Sequence, residues 1–140
     1  MGIRRSGRII AFQSIYRFTI TQEPVEDILD FSWCNREYDD DVQVFARDLI
    51  IGVIENLVFI DKIIVKYLEN WQFERVSLVD KAILRLGVYS LKFLKDIPPK
   101  VTINEAVDIA KKFGTQDSYR FINGILDSIN KDFATEAQKG

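Results

Sequence analysis

Apolar residues recur along most of this chain at intervals of three and four, the spacing of one face of an α-helix. Ile9, Phe12, Tyr16 and Ile20 mark a first helix from about Ser6 to Ile20, with Ile15 and Phe18 widening the stripe. Pro24 opens a short helix through Ile28 to Phe31, and residues 32–38 (SWCNREY) read as loop. Val42, Phe45, Leu49, Val53 and Leu57 form the next stripe, entered through Asp39, Asp40 and Asp41. Three carboxylates there suit the positive end of a helix dipole and offer an N-cap. A divalent-cation site is the sharper alternative, but consecutive residues splay around a helix axis. A break falls near 56–61, and Phe59, Ile60, Ile63, Ile64, Tyr67, Leu68 and Trp71 share a further face.

Leu78 to Leu94 is apolar nearly all round, the mark of a central buried helix. Gly87 lowers helix propensity inside it and predicts close approach by a neighbour. Pro98-Pro99 stops that element. Thr102 to Glu105 has the form of a capping box, with Val101 and Ala106 as its staple. Ile103, Ala106, Val107, Ala110 and Phe113 make the core face of the helix that follows. Lys111 and Lys112 suit its last turn, and Gly114 reads as a left-handed cap. A last helix starts near Thr115 or Asp117 with Phe121, Ile122, Ile125, Leu126 and Ile129 inward. Asn123-Gly124 lies inside that pattern, so it reads as helix with tight packing at Gly124 rather than as a hairpin turn. Residues 132–140 read as a frayed tail. The class is all-α, and two groups of three or four helices fit the pattern.

Composition supports a folded core: of 140 residues, 47% are hydrophobic and 29% charged, with three prolines. No apolar run approaches the roughly 18 residues that cross a bilayer, and the first residues lack a signal-peptide core. A single cysteine, Cys34, fits a reducing compartment, so a cytoplasmic location is expected. The absence of histidine removes the commonest general base and metal ligand. No phosphate-binding glycine loop or paired cysteines are present. A helical binding protein is expected rather than an enzyme, with no cofactor and no metal.

Net charge is −2, but it is unevenly placed. Residues 1–22 hold Arg4, Arg5, Arg8 and Arg17 and no carboxylate, whereas residues 23–41 hold eight acids and one arginine. The basic end suits phosphate or is simply solvated. Tyr16, Tyr67 and Tyr119 lie at or beside helix stripes and are core edges or stacking rings. Arg120-Phe121 follows the loop 114–118, and a base-aromatic pair suits single-stranded RNA. Asp117 caps the last helix or accepts from a base amino group.

The segments DKAILRLGVY, DIPPKVTINEAVDIAKKFG and DSYRFINGILD, in this order, resemble the NusB family, bacterial RNA-binding factors of transcription antitermination. RRSGRIIAFQSIYRF is similar to that family's Arg-rich first helix. The likeness is strong over about 78–129, looser over 4–18, and mainly one of pattern over 23–75. It implies about seven helices in two small packed bundles, near 1–75 and 76–131, within one domain ending near residue 135. It further implies binding to the boxA element of ribosomal RNA leaders together with the ribosomal protein NusE, in support of RNA polymerase and with other Nus factors. By the same resemblance Arg4, Arg5, Arg8, Tyr16, Tyr67, Asp117, Arg120 and Phe121 are RNA-facing, and Glu74 and Asp80 face the protein partner. The chain departs from the family at Gly7-Arg8-Ile9, where Ala-Arg-Glu is common. Two other readings stand: the RNA-binding domain of an RNA methyltransferase without its catalytic part, and a helical interaction module. The family includes homodimers as well as monomers.

Overall fold

The structure, a computed structural model, describes residues 2–69 and 72–139, with side chains to residue 135. Trp71 lies outside the described residues. Seven α-helices are present among them: α1 (Ile3–Thr21), α2 (Val25–Leu29), α3 (Asp40–Glu55), α4 (Leu57–Lys66), α5 (Leu78–Phe93), α6 (Pro99–Phe113) and α7 (Ser118–Lys139). No described helix is long and apolar enough to cross a membrane.

The central helix is α5, as its all-round apolar sequence requires. It packs on α1, α3, α4, α6 and α7. Ile83 and Leu84 of α5 are fully buried with Ile10 and Ile15 of α1, Ile50 of α3, Ile60 and Ile64 of α4, and Ile122, Leu126 and Ile129 of α7. A single hydrophobic core runs through both halves. At Gly87 a Cβ would lie 2.8 Å from Leu126 Cδ1, so glycine lets α7 approach α5. Gly7 works the same way for α1 on α3, with Phe45 Cδ1 2.4 Å from a built Cβ.

A polar link crosses this core. Arg85 Nε and Nη2 each donate to Asp61 at 2.9 Å, and Nη1 donates to Thr19 Oγ1 at 3.1 Å. One guanidinium thus ties α5 to α4 and α1.

Several local expectations change. Helix α1 begins three residues before Ser6, and Phe59, assigned to a buried face, is exposed beside Phe93. Asp39 occupies the N-cap of α3, but its side chain makes no cap hydrogen bond; Asp40 and Asp41 fill the first turn. Thr102 caps nothing. Helix α6 starts at Pro99, because a proline at the first position gives up only an N–H that no carbonyl needs. Thr102 is therefore buried inside the helix with Oγ1 unpartnered, and Val101 is exposed, so no staple forms. Gly114 is extended (φ −91°, ψ −170°), not left-handed. Glycine is needed there for room, since a Cβ would sit 2.5 Å from Ser118 Oγ and 2.8 Å from the Ala110 carbonyl oxygen. Gly124 meets nothing within 4 Å and faces solvent. Residues 132–139 continue α7 instead of fraying. Phe133 packs on the core beneath Lys92 and Lys95, and Asp132 accepts from the Tyr67 hydroxyl, which holds that turn in place.

Candidate nucleic-acid interface

The first two turns of α1 separate the three arginines. Arg4 and Arg5 are exposed. Arg8 is buried, its guanidinium 5.9 Å over the Phe45 ring and Nη1 4.0 Å from Glu105 of α6. Its Nη2 has no partner, and burial pulls its pKa below the ordinary value, with Glu105 opposing and Arg4 adding. The helical period decides this. Gly7 brings α1 onto α3, and the adjoining position must then face inward.

Arg5 shares a shallow groove with Lys112 and Phe113 at the end of α6. Phe113 also borders a much larger pocket of about 670 Å³ that contains Tyr16. The rings of Phe12 and Phe113 lie 5.2 Å apart, and Phe12 and Tyr16 6.5 Å, so an aromatic floor joins the groove to the pocket. Basic groups at the start of α1 therefore give way to aromatic ones further along it.

A second cluster forms where the end of α4 meets the start of α7. Tyr67, Arg120, Phe121 and the bare backbone at Gly124 line an open groove of about 340 Å³. The Tyr67 ring is held through its hydroxyl by Asp132. Arg120 Nε donates to the Tyr119 hydroxyl at 3.0 Å, and Lys111 lies 5.2 Å over the Tyr119 ring. Tyr119, a core edge or stacking ring by its place in the sequence, and Lys111 thus join Arg120 in this patch. Lys111 reads as a helix-end charge, and only the α6–α7 pairing sets it against Tyr119.

Asp117 stands just before α7. Its carbonyl oxygen accepts the Phe121 N–H at 3.3 Å, but its exposed carboxylate has no partner among the described residues. Ser118, the first residue of α7, folds back on the loop before it, its Oγ accepting the Thr115 N–H at 2.9 Å. The Asp117 carboxylate is thus left to solvent or a ligand.

The two acidic positions differ. Glu74 is exposed in a 3₁₀ turn, Phe73–Arg75. Asp80 is buried in the first turn of α5, where Ser77 caps its N–H at 3.1 Å. Its Oδ1 has no hydrogen-bond partner. Burial raises its pKa, and the hydroxyls of Ser118 and Ser77 offset part of that. Five of the ten residues singled out in sequence fall on three surface features: Arg5 in the groove, Tyr16 in the pocket, and Tyr67, Arg120 and Phe121 together; Arg4 and Asp117 are exposed at the helix starts. The α1 track and the Tyr67 groove share no lining residue.

This arrangement offers cations for phosphate, rings for bases and an unpaired acceptor. The model of the NusB family matches residues 5–131. The transcription antitermination protein NusB of Treponema denticola is 48% identical over 90% of this chain and 94% of its own. That of Bacillus thuringiensis is 42% identical over 90% and 95%. Among solved structures, Thermotoga maritima NusB superposes with a TM-score of 0.84 at 44% identity, covering 91% of this chain and 90% of that one. A crystal structure of the antitermination factors NusB and NusE in complex with double-stranded RNA superposes with a TM-score of 0.81 at 29% identity, covering 94% and 98%.

Proposed function

The chain belongs to the NusB family, and from that premise we propose that it is an RNA-binding transcription antitermination factor. In this reading it binds single-stranded boxA RNA of ribosomal leader transcripts in the cytoplasm, paired with NusE, and helps RNA polymerase and other Nus factors resist termination. The observation that carries it is the cluster of Tyr67, Arg120 and Phe121 in one open groove, with the exposed Asp117 one turn before Phe121. Unpaired bases stack on such rings, guanidinium meets phosphate, and a carboxylate accepts from a base amino group. Arg4 and Arg5 add exposed phosphate contacts. Arg8 supports them from beneath as a packed residue. Tyr16 offers a further ring along α1. Glu74 reaches NusE directly, while Asp80 acts from below by placing the first turn of α5.

The test is a fluorescence-anisotropy titration of boxA-like and scrambled single-stranded RNA, with and without NusE, at two salt concentrations. Selective binding strengthened by NusE and weakened by salt is the expected result. Arg120→Ala with Phe121→Ala should weaken it about tenfold or more, the loss of a stacked base and a phosphate contact. Unchanged affinity in a folded double variant removes these residues from the site. Equal weak binding to both RNAs, indifferent to NusE, would favour an interaction module without an RNA role.

A further inference from the structure

Of the proposed RNA residues only Tyr16 lines the 670 Å³ pocket at the far end of α1. Its outer wall is the loop between α2 and α3, and that wall is held in place. Trp33 Nε1 donates to the Ile28 carbonyl at 2.9 Å, and Ser32 N–H donates to Asp30 at 2.9 Å. Arg47 Nε reaches the Leu29 carbonyl at 3.0 Å, and Gln43 Nε2 the Tyr38 carbonyl at 2.8 Å. Phe31 adopts a left-handed φ of 57°, which a non-glycine residue keeps only when its surroundings fix it.

Arg17 lies 5.4 Å over the Trp33 ring, and its Nη2 donates to Glu23 at 2.9 Å. Its Nε is buried and has no partner. Tyr38, under Arg36 at 4.8 Å, closes the other side. Gln13 and Asn35 bring amide groups to the lining.

Resting on the RNA-binding reading above, we propose that this pocket takes one unpaired nucleobase of the bound RNA. The rings and the Arg17 plane supply stacking surfaces, and the two amides supply donors and acceptors for a base edge. The ligand is a base, not a phosphate. Glu23 already neutralises Arg17, and Asp30, Glu37, Asp39, Asp40 and Asp41 surround the loop. A strand whose phosphates track Arg5 and Lys112 passes Phe113 and enters the pocket from that side.

The chain has two tryptophans, so in a Trp71→Phe background Trp33 is the sole indole. Its emission is read during titration with single-stranded boxA-like RNA and with copies carrying one abasic position each. The expected result is quenching on binding, lost with one abasic position while the others quench normally. Asn35 is exposed, so Asn35→Ala should fold as wild type; it should weaken RNA binding severalfold and abolish the preference at that one position. RNA that binds tightly without changing Trp33 emission, and an Asn35→Ala variant of unaltered affinity, would overturn the pocket and leave the Tyr67 groove standing. Failure of the wild type to bind any RNA would overturn both. Quenching by NusE but not by RNA would give the pocket to protein and overturn the base assignment.

Discussion

Replacing Arg85 by alanine should destabilise the fold by about 3–4 kcal/mol. The guanidinium is 9% exposed and makes two 2.9 Å bonds to an Asp61 carboxylate that is 24% exposed. Removing one member of a buried pair costs about 3–5 kcal/mol, mostly for the charge left behind. Asp61 regains some water through its exposed edge, which places its share at the lower end. Thr19 loses little, because its hydroxyl keeps its own bond to the Ile15 carbonyl at 2.9 Å. The contact of Arg85 with the Phe73 ring, 5.6 Å away, adds roughly 0.5–1 kcal/mol. At about 3–4 °C per kcal/mol for a chain of this length, melting should fall by roughly 10 °C. Urea denaturation of Arg85→Ala, and of the pair Arg85→Met with Asp61→Leu, separates burial from charge. The double variant should recover to within about 1 kcal/mol of wild type, since apolar groups leave nothing unpaired. A loss under about 1 kcal/mol in Arg85→Ala, or no recovery in the double variant, would refute the account of this link as a desolvated pair.

Gly124→Ala should raise stability by about 0.5–1 kcal/mol, as an exposed helix position with empty space around it, whereas Gly87→Val should lower it by about 1–3 kcal/mol against Leu126. Equal effects in thermal melts would contradict the close approach of α5 and α7. For Asp80, burial lifts the carboxyl above its ordinary value of 3.8, so the folded state holds this proton more tightly than the unfolded chain. Its stabilising share is full below 3.8 and is lost as pH rises through the folded value. Asp80→Asn should therefore gain on wild type in urea midpoint from acid to neutral pH. A wild-type advantage at neutral pH would show that attraction of the carboxylate to the start of α5 outweighs its desolvation.

The stripes of α1, α3, α5 and α7 were legible because helical periodicity is local, and most of the stripe residues are buried as read. The cap at Thr102 was misread because two local signals competed and the proline start prevailed. Gly114 and Gly124 were misread because the same residue type serves a left-handed cap, a crowded crossing or bare surface, and only neighbours distant in sequence distinguish them. The loop 32–38 gave no functional sign. Its Trp33 and Arg36 gain meaning only when α1 brings Arg17 and Tyr16 opposite them.

By itself the sequence determined the helical class, the central place of α5 and, through three long strings, the family, since each depends on neighbours along the chain. Tertiary structure alone decided which arginines are free. Arg4, Arg5 and Arg8 read as one basic run, yet the packing of α1 on α3 and α6 buries Arg8 between Phe45 and Glu105 and leaves the other two to solvent. Likewise Tyr67 and Arg120 are far apart in the chain, and their meeting depends on how α4 and α7 close over a shared core. Charge and ring type are written in the chain, but exposure and juxtaposition arise from packing between residues remote in sequence.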